Sequence, residues 1–269
     1  MPKFFVFGDV HGFYEIFKKA LFDAGYDPQN EDHWLISLGD NFDRGPGNKE
    51  MLTFLKNMKR LIMIKGNHET LLEDMIARGY YDAHDLSNGT LGTALQISGE
   101  CADFTDLGLE VRPVLRKMRN YFETENYIFV HGWIALNCLD DCPKYWQCNR
   151  EFLYDCDWRN LHDKEWEQAR WQNGFRLARE GFIEENKTIV CGHWHTSWPR
   201  AHYHGEPEFE EGANFEPYYD KGIIGIDACT SFSKKVNILA SPGLPLTIPF
   251  IFIQHIASYA QSDTSARSA

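Results

Sequence analysis

The chain has 269 residues, of which 43% are hydrophobic and 14% aromatic. That is enough to bury a sizeable core and too apolar for a disordered polypeptide. The formal net charge of -12 argues against a nucleic-acid partner bound through phosphate contacts, although a small phosphorylated substrate needs only a local cluster of positive charge.

In chain order, the apolar run "FFVFGD" predicts a strand. A helix follows from about Phe13 to Ala24, with Phe13, Ile16, Phe17 and Ala20 on one face. "HWLISLGD" predicts a second strand and precedes a helix from about Asn48 to Met58; "LIMIKGNHE" does the same for a helix reaching Arg78. This alternation reads as α/β, with each strand ending in glycine and polar residues at the edge where open α/β sheets bind ligands. The stretch from Gly79 to about Gly99 is expected to be a loop or cap, and a helix is expected from about Asp106 to Phe122. "NYIFVHG", "KTIVCGH", "GIIGIDA" and "KVNILA" are later strand candidates, and a polar insertion with helical character runs from about Leu139 to Asn186. In the closing stretch "SPGLPL" is expected to end the last strand early, and the Ser/Ala-rich terminus to fray.

No apolar run is long enough to span a bilayer, and the N-terminus lacks the basic, apolar and small-residue pattern of an export signal. A cytoplasmic location without a membrane partner is therefore expected. The seven cysteines fit free thiols in a reducing compartment. Cys138, Cys142, Cys148 and Cys156 lie close together but lack paired C-x-x-C knuckles, so ordinary thiols are favoured over a zinc staple.

Glycine-flanked polar clusters stand at the ends of the strand-like runs. They are "GDVHG" with Asp9 and His11, "GDNFDRG" with Asp40, Asp43 and Arg44, "GNHE" with Asn67 and His68, "VHG" with His131, and "CGH" with His193. Any one of these could be a polar turn. Together they bring imidazoles, carboxylates and an amide oxygen to one edge, a donor set for two divalent metals with open positions. Mixed nitrogen and oxygen donors suit Mn, Fe or Zn better than an all-oxygen Mg or Ca cage. Two metals about 3.5–4 Å apart can clamp a phosphoryl group and supply a hydroxide nucleophile. A short carboxylate must bridge them, and Asp40 is the candidate. Arg44 offers a planar fork to phosphoryl oxygens, and His68, oriented by Asp43, a general acid.

The ordered set GDVHG, GDNFDRG, GNHE, HG and GH closely resembles the phosphoprotein phosphatase branch of the calcineurin-like metallophosphoesterases. The resemblance covers about Lys3 to Ala240. It implies a metallophosphoesterase domain over 1–240 and a tail over 241–269. It also implies a four-layer α-β-β-α sandwich with two mixed central sheets. By matching motif, Asp9, His11 and Asp40 would hold one metal, and Asp40, Asn67, His131 and His193 the other. Mn is the favoured metal. His68 would be the acid, paired with Asp43, and Arg44 and Asn67 would meet the phosphate. The resemblance calls for a second phosphate-binding arginine, for which Arg170 in "EQARWQNG" is preferred over Arg159 in "CDWRN". Asp227 in "GIDACT" is given a structural role.

A departure follows His193, where "GHWHTSWPRAHYHG" adds His195, His202 and His204, expected as a polar loop near the entrance. The implied activity is hydrolysis of phosphate monoesters in one step by a metal-bridging hydroxide. Phosphoserine, phosphothreonine or phosphotyrosine proteins are the favoured substrates, and symmetrical diadenosine tetraphosphate is the alternative. The sequence sets no oligomeric state.

Overall fold

The computed structural model describes residues 2–99, 103–138, 152–153 and 158–242. The first half alternates as expected: β1 (Lys3–Phe7), α1 (Tyr14–Asp23), β2 (His33–Ser37), α2 (Asn48–Asn57), β3 (Leu61–Met63) and α3 (Asn67–Arg78). Next come α4 (Ala83–Asn88), α5 (Thr90–Ser98), α6 (Phe104–Leu115), β4 (Phe122–Glu123), β5 (Tyr127–Phe129) and a short pair, β6 (Asn137–Cys138) with β7 (Phe152–Leu153). The remainder is α7 (Asp163–Ala169), α8 (Gly174–Arg179), β8 (Thr188–Cys191), α9 (Ser197–His204), β9 (Tyr218–Asp220), β10 (Ile223–Gly225), α10 (Thr230–Ser233) and β11 (Leu239–Pro242).

Two mixed sheets form. One has the order β11-β1-β2-β3 and the other β4-β5-β8-β10-β9. The strands β1, β2 and β3 pair in parallel, as do β5, β8 and β10, while β11, β4 and β9 are antiparallel edges. Side-chain alternation assigns the layers. Phe4 and Val6 of β1 join Ile36, Phe129 and Val190 in a core between the sheets. Phe5 and Phe7 face the other way, onto Phe17 of α1, Met51 of α2, Leu72 of α3 and Val111 of α6. Ile128, Ile189 and Ile223 form a third core with Trp166 of α7 and Phe175 of α8. Three apolar interfaces separate four layers, helix-sheet-sheet-helix. The central strands are largely apolar because both of their faces are buried.

Four local expectations are corrected. The stretch 79–99 is helical rather than a loop: the Asp82 carboxylate caps α4 by accepting from the backbone of His84 and Asp85, and Gly89, at φ 88°, turns the chain into α5. The inward face of α5 begins with Thr90 and Thr93, so no apolar period announced it. Helix α6 stops at Leu115, well short of Phe122, because the chain then extends to close on β3, with Arg119 N donating to Met63 O and Lys65 N to Arg119 O. The histidine-rich segment after His193 is largely a helix, α9, with Pro199 tolerated in its first turn. Strand β11 runs through Ser241 to Pro242, paired with β1, because an edge strand tolerates a residue without an N–H. The cysteine grouping's side chains and the tail beyond Pro242 lie outside the described residues. Of the cysteines within them, Cys191 and Cys229 are free thiols.

Candidate metal centre

Six parallel strands each deliver a polar residue to one edge, a few residues beyond their last paired position. Asp9 follows β1, Asp40 follows β2, Asn67 follows β3, His131 follows β5, His193 follows β8 and Asp227 follows β10. The turns that do this are tight. Asp9, His11, Asp40, Asp43, Arg44 and His193 all have positive φ, between 49° and 76°. Non-glycine residues hold that conformation only where surrounding structure compels it. Here the loops are laced together: Asp9 N donates to Gly39 O, His11 N to Asp40 O, and Gly12 N to Asn41 O.

Glu69 is the second fastener. Its buried carboxylate accepts from the backbone N–H of Asp40, Asn41 and Gly66, each at 2.8 Å, tying the β2 loop to the start of α3. Burial, followed by the charge of Asp40, raises its pKa. Glu69 is the last letter of the GNHE motif, yet the sequence reading left it without a role. Its position three residues into a helix after glycine was the available signal.

At the centre stands Asp40. Its carboxylate is within 4.8 Å of ligand atoms from His11 and His68 on one side, and from His131 and His193 on the other. Burial alone would raise its pKa, but His131, His68 and His11 hold it well below the usual carboxylate range. His131 Nδ1 faces the Leu38 carbonyl at 2.8 Å, while its Nε2 points at Asn67 Oδ1 (2.8 Å) and Asp40 Oδ1 (3.3 Å). Burial disfavours the imidazolium, but the Asp40 charge raises the His131 pKa overall, so a proton holds two oxygens together where a cation could. His11 and His193 are driven the other way. Burial and then neighbouring positive groups lower both, His193 to about 3, which keeps their lone pairs available.

Asp9 supplies the test of fit. One carboxylate oxygen accepts from His193 N at 2.9 Å; the other, Oδ2, is buried with no hydrogen-bond partner among the described residues. Burial, then Asp227 and Asp40, raise the Asp9 pKa well above normal. An orphaned oxygen beside two further buried carboxylates, next to the neutral imidazoles of His11 and His193 and an amide oxygen, is a donor set with lone pairs to offer a cation. It fits two divalent cations sharing Asp40. A Cβ on Gly192 would stand 2.1 Å from Asp9 Oδ2. Gly192→Ala is therefore expected to cost about 1–3 kcal/mol of stability and to weaken metal binding, as checked by thermal unfolding and metal content.

Arg44 Nη1 lies 2.9 Å from His11 Nε2 and its Nη2 lies 3.0 Å from His68 Nε2. His68 Nδ1 meets Asp43 Oδ2 at 2.7 Å. The same carboxylate accepts from Thr90 Oγ1 (2.8 Å) and Thr93 Oγ1 (2.6 Å), so α5 fixes its orientation. The two threonines, hidden in the supposed loop, escaped the sequence reading. Thr93→Val keeps the shape but strips Asp43 of a donor. It is expected to cost about 1–3 kcal/mol and to lower kcat about tenfold while KM holds, measured by denaturant unfolding and steady-state kinetics.

A cavity of about 480 Å³ opens over this edge, lined by His11, Arg44 and His193 together with Asp227, Cys229, His84, Trp171, Trp194 and His195. Asp227 therefore faces the site, with its pKa raised to about 6 by burial. Of the extra histidines only His195 lines the cavity. His202 stacks on Trp198 at 4.1 Å, and His204 bonds to the Tyr218 hydroxyl. Neither arginine candidate lines the cavity. Arg170 gives its terminal nitrogens to Thr70 (3.2 Å) and Asn120 (2.6 Å) and does not line the cavity. Arg159 grips Glu123 with two hydrogen bonds and lies over the Trp158 ring.

The profile of the calcineurin-like phosphoesterases matches residues 2–225. A stretch of 74 residues is 36% identical to serine/threonine-protein phosphatase 2 of Escherichia coli, covering 28% of this chain and 33% of that protein. Another, of 66 residues, is 35% identical to the symmetrical bis(5'-nucleosyl)-tetraphosphatase of Serratia proteamaculans, covering 24% of this chain and 23% of that protein. The chain thus spans about a third or less of the length of these relatives. A protein serine/threonine phosphatase from Saccharomyces cerevisiae superposes with a TM-score of 0.53 at 12% identity, over 92% of this chain and 82% of that one, a likeness of fold alone. No described helix is long and apolar enough to cross a membrane.

Proposed function

The chain belongs to the calcineurin-like phosphoesterase family, and from that premise we propose that it is a dimetal phosphomonoesterase acting on phosphorylated protein side chains. The observation that carries this reading is Asp40, one buried carboxylate shared by two clusters of potential ligands. Asp9, His11 and Asp40 would hold one divalent ion and Asp40, Asn67, His131 and His193 the other, with Mn suited to the mixed donors. When bound, such ions supply charge neutralisation at the phosphoryl oxygens and an activated water as nucleophile.

The chain's own residues supply the remainder. Arg44 places a guanidinium in the cavity, where an entering phosphoryl group offers it stronger, charge-assisted acceptors than two imidazoles. Once Arg44 turns to the phosphate, His68 Nε2 is free to take a proton from solvent and pass it to the leaving oxygen. A carboxylate can only accept, so Asp43 receives the Nδ1–H of His68 and steadies the imidazolium. A cysteine route is disfavoured: burial and then Asp227 push the thiol of Cys229, which lines the cavity, up to about 11.

The test is hydrolysis of p-nitrophenyl phosphate, a phosphopeptide and diadenosine tetraphosphate by metal-stripped protein, before and after Mn is restored. Mn-dependent turnover with the phosphopeptide preferred is expected. Preference for diadenosine tetraphosphate would replace this reading with the nucleotide one, which the matched tetraphosphatases favour. No turnover of any substrate by folded, metal-loaded protein would overturn both.

A further inference from the structure

The cavity walls differ in kind from its floor. Around the polar floor of His11, Arg44 and Asp227 stand two indoles, Trp171 and Trp194. Both meet the candidate ligand His193 edge-on, with ring centroids at 5.8 Å (89°) and 6.3 Å (81°). The His193 ring also bonds to the Trp171 backbone, which ties that wall to the floor. Trp194 is held from behind by Trp198 at 5.5 Å. Its indole N–H is buried and has no partner among the described residues.

We infer that Trp171 and Trp194 form a clamp for a flat ring carried within one or two bonds of the ester oxygen, so that the site selects aryl or arylmethyl phosphates over alkyl phosphates of equal bulk. The inference rests on the phosphomonoesterase reading and narrows its substrate class to side chains of the phosphotyrosine kind. Two features support it. Edge and face contacts between aromatic groups favour a flat ring over a saturated one of the same size. A cavity of about 480 Å³ takes a phosphoryl group and one ring comfortably. A nucleobase, by contrast, is set back from its phosphate by a ribose, beyond the two bonds that the clamp requires.

The experiment compares benzylphosphonate with cyclohexylmethylphosphonate, non-hydrolysable ligands alike in charge and bulk but not in flatness. Binding to Mn-restored wild type, Trp194→Ala and Trp194→Phe is read by calorimetry, and metal content is measured for each. Wild type is expected to prefer the benzyl compound about three- to tenfold, Trp194→Phe to retain most of that preference, and Trp194→Ala to lose it with its metals in place. Equal binding of the two ligands by wild type, or an undiminished preference in Trp194→Ala, would overturn the clamp. So would adenosine 5'-monophosphate binding that depends on Trp194 more strongly than benzylphosphonate binding does, because the ring would then be a nucleobase. A ring preference without turnover of benzyl phosphate by wild type would leave the clamp standing and remove the phosphomonoesterase reading, which keeps the two failures apart.

Discussion

Asp40→Asn is expected to lower turnover of every phosphoester by about three orders of magnitude or more and to release both metals, while the protein stays folded. The substitution is close to isosteric, and the new amide oxygen can still accept from the His68 backbone N–H as Asp40 Oδ1 does at 3.0 Å. What disappears is the charge that three imidazoles hold in place, and with it the only carboxylate shared by the two ligand clusters found among the described residues. Without metal, Asp40 repels Asp9 and Asp227. The surrounding imidazoles nevertheless favour the Asp40 charge on balance, so the metal-free variant is expected to melt below metal-free wild type, whereas added Mn stabilises wild type alone. Metal content, calorimetry and kcat on one preparation test all three points. A variant that retained two metals and near-normal turnover would remove Asp40 from the bridging role.

His68→Asn is expected to lower kcat by about 10² to 10⁴ for substrates with poor leaving groups and to leave metal content unchanged. His68 Nε2 lies 3.9 Å from Asp40 Oδ2 and is grouped with His11 and Asp40 as a potential ligand. Geometry near Asp40 thus admits two roles, ligand or acid. The contact to Asp43 at 2.7 Å, with Asp43 itself held by Thr90 and Thr93, favours the acid. The two roles separate by leaving group. An acid matters greatly for a phosphoserine alkoxide and little for p-nitrophenolate, which departs without a proton, so the loss should be much smaller with p-nitrophenyl phosphate. A ligand role would instead lower metal occupancy and depress both substrates equally.

The alternation of strand and helix in the first half is readable from the chain alone, because apolar runs followed by glycine and a period near 3.6 are local signals. So is the identity of the polar residues at the strand ends. Asp9, His11, Asp40, Asn67, His131 and His193 were legible because each interrupts an apolar run with a type of residue that a buried edge accepts only for a reason. Tertiary structure alone decided that these residues converge, since they come from two sheets whose pairing order no local pattern encodes. It alone decided that α5 is a helix, because the inward face of α5 opens with the threonines that bind Asp43 and turns apolar only at Ala94 and Ile97. It decided too that α6 ends at Leu115, where pairing with β3 outcompetes local helix propensity. Finally, it placed Asp227, Trp171 and Trp194 on the cavity and kept Arg170 off it. Whether a tryptophan packs in a core or walls a site depends on what folds against it, and residues far away in the chain supply that.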